Sequence, residues 1–125
     1  MAGQRGTRGD RDFPYVLDSV RAARHFVTGI VEPRYSRQAA DDAAIVVAEL
    51  AANAFQHAGT GFSVTVHCAP DEIRISVRDH GFLRDGLGLP PVQGHGLHLV
   101  DRIAGTWGTV PLRDGKTVWA RLPVR

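Results

Sequence analysis

The sequence lacks several features that mark particular classes of protein. Cys68 is its single cysteine among 125 residues, so no disulfide can form within the chain and a disulfide-stapled secreted domain is excluded. The longest uninterrupted apolar run is Ala43–Ala48, whereas a membrane-spanning helix needs about 20 residues. The first residues (MAGQRGTRGDRD) contain no hydrophobic segment of a secretion signal. These absences predict one cytoplasmic domain.

An excess of charge of one sign is also missing. The chain carries 15 basic and 13 acidic residues, for a formal net charge of +2, and Lys116 is its only lysine. The arginines are scattered along the sequence, whereas nucleic-acid-binding domains gather basic residues on one face. We therefore expect no direct contact with nucleic acid and none with a membrane. The hydrophobic content of 43% is that of an ordinary globular protein.

Hydrophobic spacing predicts the order of helices and strands. Residues 1–12 are rich in Gly, Arg and Asp and are expected to form a flexible tail, leaving 13–125 as a single domain. Helical spacing predicts helices over about 19–32, 36–57 and from about 96. Period-two alternation predicts strands over 62–68 and 73–78 and a final hairpin of 107–112 with 117–122. The predicted fold is an α/β (α+β) two-layer sandwich, with a mixed, mostly antiparallel sheet covered on one face by about three helices.

Three polar residues form a stripe on the second predicted helix. Glu49, Asn53 and His57 follow one another at intervals of four residues, so they share one helix face. A carboxylate one turn from a carboxamide oxygen suits Mg²⁺, and the carboxylate could alternatively serve as a general base. Polar pairs at this spacing are also common on solvated helix edges, so the stripe alone leaves these alternatives open.

An acidic residue stands at the end of the second predicted strand. Asp79 keeps the phase of Ile75 and Val77, which directs its side chain towards the core. A carboxylate there is costly unless strong donors meet it, and an adenine amino group would be such a donor. Gly81 would let a flat ring approach the backbone. The alternative is that the strand ends at Arg78 and Asp79 turns into water.

Glycines mark two further segments. Gly94 and Gly96 precede the third predicted helix, where free backbone N–H groups form an anion site. The segment 115–117 (GKT) imitates the end of a phosphate-binding P-loop, but Val110 stands at the place of the required first glycine. A zinc site is disfavoured because the sequence has neither an HExxH motif nor a pair of cysteines.

Taken in order, these segments resemble the nucleotide-binding domain shared by gyrase, Hsp90, histidine kinases and MutL. The closest resemblance is to its stand-alone branch, the bacterial anti-sigma-factor serine/threonine kinases. It covers about residues 13–124 and is carried by four segments: Glu49–Ala58 (ELAANAFQHA) as the N box, Val77–Gly81 (VRDHG) as the first glycine box, Gly94–Val100 (GHGLHLV) as the second, and Gly115–Trp119 (GKTVW) as the closing strand. The resemblance implies a histidine kinase-like domain with the Bergerat-type ATP-binding fold.

The resemblance also implies a role for individual residues. Glu49 would be the base that activates a serine hydroxyl, or a water in slow hydrolysis, and Asn53 would hold Mg²⁺ against the phosphates of ATP. Asp79 would accept a hydrogen bond from the adenine amino group, with Thr117 behind it through a water. Residues 82–93 would form a lid. The other implied ATP-binding residues are His57, Gly81, Gly94, His95, Gly96 and Leu97.

The function that the resemblance implies is an ATP- and Mg²⁺-dependent serine/threonine kinase in bacterial transcription regulation. It would phosphorylate an anti-anti-sigma partner of the STAS type and sequester a sigma factor, with Arg21 and Arg24 on the partner-binding surface; chains of this branch usually form homodimers. Leu83 replaces the second glycine of the first box, and Gln93 stands where an arginine often precedes the second. These departures favour the alternative of a regulatory binding module with weak or no catalysis.

Overall fold

The computed structural model describes residues 6–81 and 97–124. In chain order the elements are β1 (Thr7–Phe13), α1 (Ser19–Val31), α2 (Arg37–Ala58), β2 (Phe62–Cys68), β3 (Glu72–Asp79), α3 (Leu97–Ile103), β4 (Thr106–Leu112) and β5 (Gly115–Pro123). The described strands form one sheet in the order β1-β2-β3-β5-β4, and every neighbouring pair is antiparallel. The predicted α+β sandwich is confirmed, with a described sheet that is antiparallel throughout where a mixed one was expected.

The core lies between the helices and the inner face of the sheet. Along β2, buried and half-buried residues alternate strictly, as a strand with one covered face requires. Helix α2 packs against β3 and contacts both α1 and α3. Burial of each large aliphatic side chain contributes about 1.5–3 kcal/mol. The largest fully buried side chains are Phe62, Leu50, Ile73, Ile75, Val27, Val31, Val46, Val47, Val64, Val66, Val77 and Val100.

Both ends of α2 are defined by local chemistry. Ser36 has extended backbone and its side-chain oxygen accepts a hydrogen bond from the Ala39 N–H, which satisfies a free donor of the first turn. Gly59 adopts a left-handed conformation (φ 66°) that ends the helix at Ala58. The polar stripe of the N-box segment is thereby held on a helix with a defined beginning and end.

The first strand contradicts the sequence prediction. Residues 7–12 belong to β1, which pairs with β2 along its full length, and are not a flexible tail. Ser63 and Thr65 of β2 donate hydrogen bonds of 2.6 Å to the carboxylates of Asp12 and Asp10, respectively. Strand β1 lies at the edge of the described sheet and is held by polar cross-strand contacts. Its residues therefore show no apolar alternation, and the hydrophobic pattern of the sequence could not indicate a strand there.

The other predicted elements are confirmed. Helices α1 and α2 lie within one or two residues of the predicted bounds, and α3 and the β4–β5 hairpin occupy the predicted places. Strand β3 extends through Asp79, so the alternative in which it ends at Arg78 is wrong. Within residues 6–81 and 97–124, no helix combines the length and the apolar character needed to cross a membrane.

Candidate functional site

Asn53 is a buried polar side chain in the third quarter of α2. It is 6% exposed, and its Oδ1 accepts no hydrogen bond in the described part of the chain. A buried acceptor without a donor costs about 1–3 kcal/mol, so an arriving cation or donor group would recover that energy. An amide oxygen is a hard ligand of the kind that Mg²⁺ takes. Asn53 therefore fits the metal that the sequence indicated.

Glu49 lies one turn before Asn53 and is accessible from outside. It is half-buried and lines a groove of about 560 Å³ to which α1, α2 and α3 contribute. Arg24 of α1 and Leu99 of α3 line the same groove. The structure thus brings together the predicted base and one of the two predicted partner-binding arginines. A groove of this size can admit a side chain of another protein.

Two other predicted residues lie outside this groove. His57, in the last turn of α2, is exposed. Arg21 is exposed as well, 4.0 Å from the carboxylate of Asp18, and lines a separate depression with Phe26 and His25. Both remain accessible to a ligand or a partner.

Asp79 closes β3 and is 2% exposed. Its side chain shares the inner face of the sheet with Ile75 and Val77, as the alternation predicted. The Asp79 Oδ1 accepts hydrogen bonds from the backbone N–H groups of Lys116 at 3.1 Å and Gly81 at 3.3 Å. The Oδ2 accepts one from the Lys116 ammonium at 2.6 Å. The carboxylate is therefore buried as half of an ion pair.

Lys116 is the residue of this site that sequence reasoning missed. The β3–β5 register pairs Arg78 with Thr117, which sets Lys116 beside Asp79 at the end of β3. Thr117 lies on the opposite face of the sheet, where it lines a groove with Trp119. The structure therefore does not bring Thr117 to Asp79. A signal was present, because Lys116 keeps the even-numbered phase of the buried residues that follow it in β5.

Two glycines allow the backbone to pack closely around Asp79. A Cβ on Gly81 would lie 2.7 Å from the carbonyl oxygen of Ala58 in the last turn of α2. Gly115 has a φ of 144°, and a Cβ there would overlap the carbonyl oxygen of Asp79. On the side of its missing Cβ, Gly81 thus packs against the end of α2, and the approach of a flat ring to its backbone stays a prediction. This contact sets the end of α2 beside Asp79, five residues after Asn53.

Gly81→Ala is expected to lower the free energy of unfolding by about 1–3 kcal/mol, because the added methyl meets backbone that cannot move aside. Gly29→Ala is the matched control: a Cβ at this helical position of α1 meets nothing within 4 Å. Alanine there is expected to gain about 0.5–1 kcal/mol. Urea unfolding of both variants measures the difference. Equal stability of the two would contradict the close contact between α2 and Gly81.

Most of the remaining predicted residues lie outside the part of the chain that the structure describes. Gly94, His95 and Gly96 lie outside the described residues, as do the 82–93 segment and both positions of departure from the family pattern. Leu97 is described and is buried in the first turn of α3. Over 6–81 and 97–124, no three His, Cys, Asp or Glu side chains are grouped as metal ligands.

Comparison with known proteins agrees with this fold. Residues 13–122 match the family described as histidine kinase-like ATPase domain. A crystal structure of the RsbU and RsbW domains of a Mycobacterium tuberculosis protein is similar, with a TM-score of 0.72 at 17% identity over 95% of this chain and 33% of that one. This chain thus spans about a third of that neighbour, and the likeness concerns the fold. A search among curated proteins found no match. Because the family match covers most of its residues, the chain belongs to the histidine kinase-like ATPase domain family.

Proposed function

We propose that this ATPase-family domain binds ATP with Mg²⁺ and acts as a serine/threonine kinase of the anti-sigma-factor type. The observation that carries the proposal is that two suitable side chains lie one turn apart on α2. Asn53 offers a buried oxygen that has no donor among the described residues, and Glu49, one turn away, offers a carboxylate in an open groove. Phosphoryl transfer needs a cation and a positioned base more than covalent chemistry.

In the proposed reaction, each side chain has one task. Bound Mg²⁺ neutralises charge on the phosphates of ATP, and the Asn53 Oδ1 would be its protein ligand. Glu49 would take the proton of a serine hydroxyl as the hydroxyl oxygen bonds to the γ-phosphorus and the bond from that phosphorus to the bridging oxygen of ADP breaks. Asp79 would hold the base of the nucleotide. The groove beside Glu49 supports this assignment, because the serine must arrive from another protein.

The proposed partners are an anti-anti-sigma protein of the STAS type as substrate and a sigma factor as the sequestered protein. Support comes from the fold of the RsbW-containing neighbour and from α1. Arg24 lines the groove that contains Glu49, so a partner docked on α1 would bring its serine close to the base. The exposed Arg21 extends this surface by one turn of the same helix.

A second candidate is a binding module of the same fold with weak or no catalysis. The ion pair of Asp79 with Lys116 favours it, because the carboxylate is already compensated in the protein alone. A domain built in this way can fold without nucleotide and can sequester a partner by its surface.

Calorimetric titration separates these functions. We expect Mg-ATP to bind, Mg-GTP to bind much more weakly, and a chelator to weaken ATP binding. With γ-labelled ATP, label should then appear on a serine of a STAS-domain protein from the same organism, located by mass spectrometry. A complex that forms without transfer would support the binding module instead. If ATP does not bind, the proposed kinase function is wrong.

A further inference from the structure

Lys116 is the chain's only lysine, and its side chain is buried. It is 6% exposed, and the Oδ2 of Asp79 is the one acceptor of its ammonium in the described part of the chain. An ammonium carries three donors, so two of its N–H groups have no acceptor among the described residues. Burying a charged group in this state is expensive unless those donors are also used. A ligand atom beside Asp79 would use one of them.

The carboxylate of Asp79 has little capacity left. It offers about four acceptor positions. Two backbone N–H groups occupy Oδ1 and the Lys116 ammonium occupies one position on Oδ2. Among residues 6–81 and 97–124, one acceptor position on Oδ2 has no donor, and it lies next to N–H groups of the ammonium that have no acceptor there. The ion pair therefore presents one acceptor and one donor side by side.

This arrangement matches one edge of adenine. The Watson–Crick edge of adenine places an amino donor beside the ring acceptor N1, and enzymes read bases through this edge. Guanine in the same orientation instead turns the acceptor O6 to the carboxylate and the donor N1–H to the ammonium, so that both contacts are mismatched. Because Oδ1 already accepts two backbone N–H groups, it cannot take up the guanine N1–H instead, and the mismatch is expected to cost about tenfold or more in affinity.

We infer that Lys116 is a specificity residue that donates a hydrogen bond to N1 of adenine while the adenine amino group binds Asp79. The inference rests on the proposed binding of ATP and adds a residue to it. Gly115 makes the arrangement possible, because its missing side chain lets the start of β5 lie against Asp79. The lysine side chain supplies both the counter-charge and further donors at the tip of a flexible stem.

The test changes one atom of the ligand and one residue of the protein. In 1-deaza-ATP, N1 is replaced by carbon, so the unmodified chain should bind it about tenfold or more weakly than ATP. In 7-deaza-ATP, N1 and the amino group remain, and its affinity should stay within about threefold of ATP. In Lys116→Met, ATP and 1-deaza-ATP should bind equally. Discrimination that persists in this variant would overturn the role of Lys116.

A spectroscopic readout covers the case in which Lys116→Met fails to fold. Because the chain has a single lysine, lysine-selective ¹³C labelling gives one Cε signal. ATP and 7-deaza-ATP should shift this signal equally, and 1-deaza-ATP should shift it less. Equal affinities of the unmodified chain for ATP and 1-deaza-ATP would overturn the Lys116 contact and leave ATP binding intact. If ATP itself does not bind, the proposed function fails as well.

Discussion

Replacing Glu49 by glutamine is expected to slow phosphate transfer to the partner by about 10²–10⁴-fold, the usual contribution of a positioned general base. The affinity for ATP should change by less than about threefold. The reason lies in the geometry: Glu49 lines the open groove, whereas the buried oxygen of Asn53 and the Asp79 carboxylate lie in the interior. Glutamine keeps the size of the side chain and cannot take up a proton.

Single-turnover transfer of γ-labelled phosphate, followed next to calorimetric binding of Mg-ATP, measures the two effects separately. Asp42→Asn is the matched control, because it removes a carboxylate from the same helix where that group only accepts a hydrogen bond from Gln38 at 2.9 Å. The control should transfer phosphate at the rate of the unmodified chain. A Glu49→Gln variant that keeps half of its rate would show that another group takes the proton.

Much of the fold could be predicted because its signals are local. The alternation of β2 and β3 and the helical spacing of α1 and α2 follow from burial on one face, and the structure confirms them. Strand β1 could not be found in this way. Its residues pair with β2 through backbone and through polar side chains such as Asp10 and Asp12, which leave no mark on hydrophobicity.

The candidate site could likewise be predicted only in part. Strand phase predicted a buried Asp79, with a strand end at Arg78 as the alternative, and the structure shows the buried side chain. The resemblance to a family motif placed Thr117 beside it, whereas the register between β3 and β5 sets Lys116 there. A motif compares residue types, whereas the alternation along β5, in which the buried residues after Lys116 are even-numbered, decides which of two neighbours faces the core. Gly81 shows the same limit, because only the packed structure reveals the close contact of this residue with the end of α2.

Asp79→Asn is expected to abolish measurable ATP binding and to lower the free energy of unfolding by about 3–5 kcal/mol, because it leaves the Lys116 ammonium buried without a counter-charge. Asp114→Asn is the control. Asp114, directly before β5, forms an ion pair of 2.9 Å with Arg78 near the end of β3. Both of these side chains are about half exposed. Loss of such a surface pair costs less than about 1 kcal/mol.

The double variant Asp79→Asn/Lys116→Met separates the two losses. It removes the buried ammonium that Asp79→Asn leaves without a counter-charge, so urea unfolding should recover most of the energy lost in Asp79→Asn. ATP binding should stay lost, since the acceptor of the adenine amino group is still missing. If stability is not recovered, the two backbone hydrogen bonds to Oδ1, and not the charge pair, hold this end of the sheet. If ATP binds to the double variant, the base is read elsewhere in the protein and Asp79 has only a structural role.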